Sequence, residues 1–247
     1  MTGADGGRDE SVVWHDLECG AYSADLELWG ELAAERGGPV LELGCGTGRV
    51  GVWLARRGHR VVGLDVDPRF AAELERRATG LPAAARVGDA VDFALDEAFG
   101  AVLAPMQLVQ LLDGAGERAG CLRSAARHLQ PGGLLALAVV EGLAADYAGE
   151  PASALPDARE VEGWVHSSLP LETVLAGNRF VVRRLRQTVS PEGALDEEVN
   201  EVELRVLSAG ELEAEGAAAG LRPIGRREIP ATDAHVGSTV VLLERAA

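Results

Sequence analysis

The sequence contains no lysine, since all 23 basic residues among its 247 are arginine. A chain without lysine has no residue for Schiff-base chemistry and cannot supply the lysine of a phosphate-binding P-loop. The basic residues are outnumbered by 39 acidic ones, which gives a formal net charge of −16. This charge repels phosphate backbones and anionic membrane surfaces, so we expect neither a nucleic-acid partner nor a membrane partner.

Cysteine is also scarce. The three cysteines (Cys19, Cys45 and Cys121) are far apart and form no Cys-x-x-Cys pair, so neither a disulfide framework nor a zinc site is predicted. No apolar run reaches the roughly 18 residues that a membrane helix needs, and the polar, acidic start does not resemble a targeting peptide. These features favour a cytoplasmic protein without a metal site.

What the sequence does contain is an alternation of short apolar strands and helices between residues 38 and 141. The strands include "PVLELG", "HRVVGLDVD", "AARVGDAVDF" (residues 84–93) and "LLALAVVEG", and the helix before the last of these is expected to stop at "PGG" (131–133). Such apolar strands are typical of a parallel sheet covered by helices on both faces. Five βα units in sequence predict an α/β, Rossmann-like, doubly wound sheet.

The rhythm changes near residue 142, where a Gly/Pro/Ala-rich connection leads into hairpin-like strands without intervening helices. A helix then starts at Ser208, with Glu211 three residues later as a capping box, and two apolar strands close the chain. We interpret the middle part as inserted antiparallel strands.

A glycine-rich turn follows the first strand, with the pattern Glu42-x-Gly44-x-Gly46-x-Gly48. Glycines after a strand let the backbone approach a ligand and aim helix N–H groups at it. The spacing differs from the GxGxxG of pyrophosphate-binding turns. Asp65 ends the second strand, where a carboxylate is placed to accept both hydroxyls of a ribose.

With these motifs the sequence resembles the class I S-adenosylmethionine-dependent methyltransferases. The matching segments are "LELGCGTGR", "GLDVDP", "VGDAVDF", "LAPMQLVQLL" and "HLQPGGLLAL", in the order usual for that family. The resemblance implies a seven-stranded sheet with a reversed last strand, which agrees with the apolar closing pair. It also implies four segments: an N-terminal tail and helical lid (1–37), a cofactor-binding core (38–141), a connection with inserted strands that cap the acceptor (142–207), and the last helix and strands of the core (208–247).

The resemblance further implies which residues bind S-adenosylmethionine. The three glycines would wrap the methionine part with Glu42 behind them, Asp65 would hold the ribose, and the loops after the third and fourth strands would meet adenine and the sulfonium. A tyrosine and an arginine near the turn would reach the methionine carboxylate. The full set comprises Tyr22, Glu42, Gly44, Gly46, Gly48, Arg49, Asp65, Val66, Asp89, Ala90, Met106, Gln107 and Gln110.

The acceptor is expected to be a small metabolite, methylated on nitrogen or oxygen. The fourth strand is followed by "APMQ", not by the "NPPY"-type motif of enzymes that methylate nucleic-acid or protein amines, and the net charge agrees. His166 and His15 are the candidate catalytic residues, and Glu141 and Tyr147 are further candidate bases. The inserted strands would roof the acceptor pocket or pair two subunits into a homodimer.

Several alternatives stay open at this point. Arg49 is equally explained as a solvated helix residue, Tyr22 as a packing aromatic, and Asp67 as the N-cap before Pro68. The arginines of "RFVVRRLRQ" form either a solvated face or a clamp for an anionic substrate. For the whole chain, the rival functions are a non-catalytic S-adenosylmethionine-binding partner protein, an NAD(P)-dependent oxidoreductase, and methylation of a protein or RNA.

Overall fold

A computed structural model describes residues 9–141, 155–232 and 235–247. These residues form two compact units. The core unit contains residues 22–141, 204–232 and 235–247, and the insert unit contains residues 9–21 and 155–203. Within the described ranges, no helix is long and apolar enough to cross a membrane.

The core unit contains six helices and seven strands among its described residues. In chain order they are α2 (Leu26–Arg36), β1 (Val40–Leu43), α3 (Arg49–Arg56), β2 (Val61–Asp65), α4 (Pro68–Arg77), β3 (Ala83–Val87), β4 (Phe99–Ala104), α5 (Leu108–Leu111), α6 (Ala115–His128), β5 (Leu129–Val139), α7 (Ala209–Ala218), β10 (Leu221–Ile229) and β11 (Ser238–Arg245). The insert unit contains α1 (Glu10–Cys19), β6 (Asp157–Val161), β7 (Trp164–Ala176), β8 (Arg179–Val189) and β9 (Leu195–Arg205), whose last two residues fall in the core unit. The segment 1–37, expected to act as one lid, is therefore divided, because α1 and α2 belong to different units.

The seven strands form one sheet with the order β10-β11-β5-β4-β1-β2-β3. Strands β1 to β5 are parallel, and every residue of β1 and β4 is buried, as expected for strands covered on both faces. Strand β11 pairs antiparallel with β5, and β10 pairs antiparallel with β11. The predicted doubly wound sheet with a reversed last strand is confirmed.

Two helix starts follow from their capping residues. The carboxylate of Asp67 accepts the N–H of Arg69, and Pro68 occupies the first turn of α4. The hydroxyl of Ser208 accepts the N–H of Glu211, and the Glu211 carboxylate accepts the N–H of Ser208, which completes the predicted capping box of α7.

Two predicted element ends are wrong. The third strand stops at Val87, because the Asp89 carboxylate accepts the N–H of Val91 and turns the chain away from the sheet. Helix α6 stops at His128 rather than at "PGG", and β5 already begins at Leu129. In each case a local hydrogen bond or strand pairing determined the end, and apolar periodicity did not reveal it.

The insert unit is a four-stranded antiparallel sheet with the order β6-β7-β8-β9. Helix α1 is attached to it through Glu18, whose carboxylate accepts bonds from Arg186 and from the buried hydroxyl of Ser168. All four arginines of β8 have carboxylate partners: Arg179 with Glu203, Arg183 with Glu172 and Glu201, Arg184 with Asp157, and Arg186 with Glu18. Their charges are therefore matched within the sheet, which argues against a clamp for an anionic substrate.

Candidate functional site

The glycine-rich turn between β1 and α3 adopts a backbone that other residues avoid. Gly44, Gly46 and Gly48 have φ angles of 62°, 51° and 94°, all in the left-handed region. A Cβ at Gly44 would lie 2.9 Å from Leu108 Cδ1, and a Cβ at Gly48 would lie 2.9 Å from Val52 Cγ2. Both the backbone conformation and the neighbouring side chains therefore favour glycine at these two positions.

Asp65 connects this turn to the end of β2. Its Oδ2 accepts the N–H of Gly46 at 2.8 Å, and its Oδ1 accepts the N–H of Asp67 at 3.0 Å. A carboxylate has about four acceptor positions, so two remain for further donors such as vicinal hydroxyls. The next side chain, Val66, is 70% exposed and offers an uncovered apolar surface beside them.

The loop after β3 lies beside Asp65. The N–H of Gly88 donates to the Asp65 carbonyl at 2.9 Å, so Asp89 and Ala90 directly follow a residue bonded to the end of β2. The side chain of Asp89 is exposed and that of Ala90 is buried. The predicted ribose and adenine residues thus come together at the carboxyl ends of β2 and β3, where open α/β sheets bind ligands.

The three predicted site residues after β4 differ in exposure. Met106 and Gln107 are partly exposed, and Met106 has a φ of 56°, a left-handed conformation that costs a non-glycine residue about 1–2 kcal/mol. Gln110 is fully buried, and its amide bonds to the backbone of Val140 and to the carbonyl of Arg205. The polar atoms of Gln110 are occupied by backbone groups, and its place beside the cofactor stays a prediction.

Glu42 lies beneath the turn, as expected for a residue that supports it. It is 3% exposed, and its Oε2 has no hydrogen-bond partner among the described residues. Burial raises the pKa of Glu42 to about 8, against the opposing effects of the Arg49 charge and the Gly51 N–H. The carboxyl is consequently protonated at neutral pH.

Arg49, the first residue of α3, is not a solvated helix residue. Its guanidinium forms a two-point ion pair with Asp25, at 2.6 and 2.8 Å, and donates to the Tyr22 carbonyl at 2.9 Å. Asp25 is fully buried and also accepts the indole N–H of Trp29 at 2.8 Å. The prediction that Arg49 reaches a ligand carboxylate must therefore account for this existing ion pair.

Asp25 is the residue that the sequence interpretation missed. Its spacing of four from Trp29 on α2 was the available signal, since an aspartate one turn before a tryptophan can accept its indole N–H. Tyr22 is buried, its ring lies 5.1 Å from the Arg49 guanidinium, and it stacks near His235 at 4.7 Å. Its packing role is thus shown, and a bond to a ligand carboxylate stays a prediction.

The candidate catalytic histidines belong to the insert unit. His166 on β7 is 6% exposed, its ring meets Trp14 edge-on at 5.1 Å, and burial lowers its pKa. His15 lies on α1 and is half-buried. The structure therefore places both in a different unit from the glycine turn, and their catalytic role stays a prediction.

The other two candidate bases are Glu141 and Tyr147, and the structure describes only Glu141. Glu141 follows β5 and accepts the N–H of Ala209 at 2.8 Å and the hydroxyl of Thr239 at 3.2 Å, which fixes its carboxylate. Tyr147 lies outside the described residues. No group of three or more metal-binding side chains is found in the described ranges.

Comparison with known proteins identifies the domain that contains the glycine-rich turn. Residues 40–133 match the family described as "Methyltransferase domain", and this segment includes the glycine turn, Asp65, Asp89 and Met106. Residues 40–133 are a methyltransferase domain. The order of its motifs along β1 to β4 is thereby explained.

The relatives of this methyltransferase domain differ in activity. The chain is 34% identical over 129 residues to the Cypemycin N-terminal methyltransferase of Streptomyces sp, which covers 51% of this chain and 53% of that protein. It is 35% identical over 118 residues to the S-adenosyl-L-methionine-dependent Diels-Alderase iccD of Talaromyces variabilis, covering 47% of this chain and 40% of that protein. The chain thus matches only about half the length of these relatives, or less.

The fold is shared over a much longer range with a solved structure. The sugar N-methyltransferase KedS8 from Streptoalloteichus sp ATCC 53650 superposes with a TM-score of 0.76 and 21% identity, covering 100% of this chain and 96% of that chain. The methyltransferase domain and the residues after it, including the inserted strands, therefore have a common architecture with that enzyme.

Proposed function

We propose that this chain transfers a methyl group from S-adenosylmethionine to a nitrogen atom of a small metabolite. The observation that carries the proposal is the Asp65 carboxylate, bonded to the Gly46 N–H within a methyltransferase domain and left with two acceptor positions. The residues present fit the cofactor, because a glycine turn with positive φ angles after β1 is followed by the Asp65 carboxylate and the exposed Val66 at the end of β2.

In this proposal the chain's own residues position and shield the reactants. Bound S-adenosylmethionine supplies a methyl group on a positively charged sulfur, which is already electrophilic. The turn would hold the methionine end of the cofactor and Asp65 would hold its ribose, while Met106 and Gln107 follow β4 at the same edge of the sheet. Since most of the acceleration then comes from alignment, no general base is needed for an acceptor amine that is neutral at the working pH.

Nitrogen is favoured over oxygen by the relatives. The name of the solved structure specifies sugar N-methylation, and the name of the Cypemycin relative specifies methylation at an N-terminus. A small-molecule acceptor also agrees with the net charge of −16, which disfavours nucleic acid.

The proposal is tested by calorimetry and turnover with the full chain. We expect S-adenosylmethionine and S-adenosylhomocysteine to bind with one-to-one stoichiometry, while NADH produces no change in a fluorescence titration. Release of S-adenosylhomocysteine should occur with a panel of amines, amino sugars included, and not with a matched panel of phenols. A folded chain that binds neither cofactor form would refute the proposal.

A second candidate function is favoured by one relative. The Diels-Alderase iccD depends on S-adenosyl-L-methionine, yet its name specifies a cycloaddition. A chain with this domain can therefore bind the cofactor and catalyse another reaction, or serve as a binding partner. Tight cofactor binding with no S-adenosylhomocysteine formed from any acceptor would support this second function.

The assembly and location of the chain form part of the same proposal. Homodimerisation through the inserted strands is supported by exposed apolar side chains at Val165, Leu195 and Val199. A cytoplasmic location is supported by the three cysteines, all of which are free thiols. Sedimentation at several concentrations should show a dimer that Val199→Glu weakens, with Val87→Glu in the core unit as the exposed control.

A further inference from the structure

Met106 is held in an unusual backbone conformation at a functional edge of the sheet. Among the described residues, only Met106 and Glu162 combine a side chain with a positive φ angle. Glu162 precedes Gly163 in the tight turn between β6 and β7, where paired positive φ angles are ordinary. Met106 has no such explanation, and it lies just after β4, where the ligand crevice of an open sheet is expected.

The segment that contains Met106 is anchored at its end by the side chain of Gln110. The Gln110 Oε1 accepts the N–H of Val140 at 2.8 Å, and its Nε2 donates to the carbonyls of Val140 at 3.1 Å and Arg205 at 2.9 Å. The amide thus pairs with Val140 as a neighbouring strand residue would. Since Gln110 is fully buried, water cannot replace these three bonds.

The connection between the two residues is short and regular. The backbone N–H of Gln110 donates to the Gln107 carbonyl at 2.9 Å, so the residue after Met106 is bonded to the backbone of the residue whose side chain is anchored to Val140. Any relaxation of Met106 toward an ordinary backbone conformation would move Gln107 and pull Gln110 away from Val140. The three amide bonds therefore oppose that relaxation.

We propose that Gln110 is a positioning residue, which holds Met106 in its left-handed conformation, with Gln107 beside it, at the sheet edge where the reacting centre is expected. This inference rests on the proposed methyl transfer, and it assigns Gln110 an effect on rate rather than on cofactor affinity. Alignment is the step at stake, because a shift of about 1 Å near the reacting atoms can slow a reaction about a hundredfold.

The first test separates rate from affinity. Gln110→Glu keeps an acceptor for the Val140 N–H and loses both donated bonds. Gln130→Glu is the matched control, since the Gln130 amide donates one exposed bond to Ala98. We expect Gln110→Glu to lower the single-turnover rate at least tenfold with the calorimetric Kd for S-adenosylhomocysteine within twofold of wild type, and Gln130→Glu to change neither. A rate within twofold of wild type, or an equal loss of affinity, would overturn the assignment.

The second test does not depend on activity and would stand if the proposed function failed. In wild type, breaking the Gln110 bonds lets Met106 leave its strained backbone conformation, and this release offsets part of the lost stability. Met106→Gly removes that strain beforehand, so breaking the same bonds has no such offset. We expect Gln110→Glu to lower Tm by about 2–4 °C more in the M106G background than in the wild-type background. Equal Tm losses in the two backgrounds would show that Gln110 does not hold Met106 in place.

Discussion

Replacing Glu42 by glutamine should change how the stability of the chain depends on pH. Burial beneath the glycine turn raises the pKa of Glu42 to about 8 from an ordinary value of 4.5. Between these two values the unfolded carboxyl is ionised while the folded one keeps its proton. Folding then binds a proton, so the free energy of unfolding must fall as the pH rises from 4.5 to 8.

The size of this effect follows from the same pKa difference. Each pH unit inside the window costs about 1.4 kcal/mol, so Glu42 lowers the free energy of unfolding by about 2.5 kcal/mol between pH 5 and pH 7. No reduction for solvent screening applies, since the side chain is 3% exposed. Glutamine has nearly the same shape and no charge, so this pH dependence should disappear in Glu42→Gln.

The assay is urea unfolding at pH 5, 6, 7 and 8, followed by tryptophan fluorescence. We expect the free energies of unfolding of wild type and Glu42→Gln to differ little at pH 5. Between pH 5 and pH 7 this difference should shift by about 2–3 kcal/mol in favour of the variant. Glu75→Gln, which changes an exposed carboxylate on α4, controls for surface charge. Stability curves for wild type and Glu42→Gln that run parallel across this range would refute the reasoning.

Three further predictions concern other buried or bonded groups. Asp65→Ala should weaken S-adenosylhomocysteine binding by about 1.5–3 kcal/mol in calorimetry, whereas Asp67→Ala, which removes a helix cap and an ion pair with Arg69, should leave the Kd within twofold. Asp25→Ala should lower the free energy of unfolding by about 3–5 kcal/mol by leaving a buried guanidinium unpaired. Glu27→Ala, at an exposed ion pair, should cost less than about 1 kcal/mol, and equal losses would contradict the argument. Burial lowers the pKa of His166 below its ordinary 6.5, so its stabilising contribution is present above that value and is lost as the pH falls. The thermal midpoint should therefore drop more steeply on acidification in wild type than in His166→Phe, and identical slopes would exclude the histidine as the cause.

The parts of the site that were predictable from sequence are those determined within a few residues. The glycine turn, Asp65 and the cap at Asp67 depend on local backbone geometry, and their spacing along the chain records it. The alternation of apolar strands and helices likewise predicted the parallel part of the sheet, because burial on both faces demands it.

The parts that escaped prediction depend on partners far along the chain. The side chain of Gln110 bonds to Val140 and Arg205, and that of Arg49 bonds to Asp25. No sequence pattern links either residue to its partners. Such pairings arise from the way distant segments pack, so a single sequence offers a residue type without revealing its partner. The end of β3 was missed for the opposite reason, since a local aspartate turn outweighed the apolar pattern.

The bonds between α1 and the inserted strands have a consequence for recombining this chain with others. Glu18 is joined to Ser168 and Arg186, so one compact unit is encoded by two stretches at opposite sides of the cofactor-binding sequence. Meanwhile β5 pairs directly with β11, so the seven-stranded sheet is complete without β6 to β9. A chimera that replaces only residues 155–203 would remove Arg186 and leave Glu18 without this partner, whereas replacing residues 9–21 as well would exchange both members of the ion pair together. The natural unit of exchange is thus discontinuous in sequence and continuous in space.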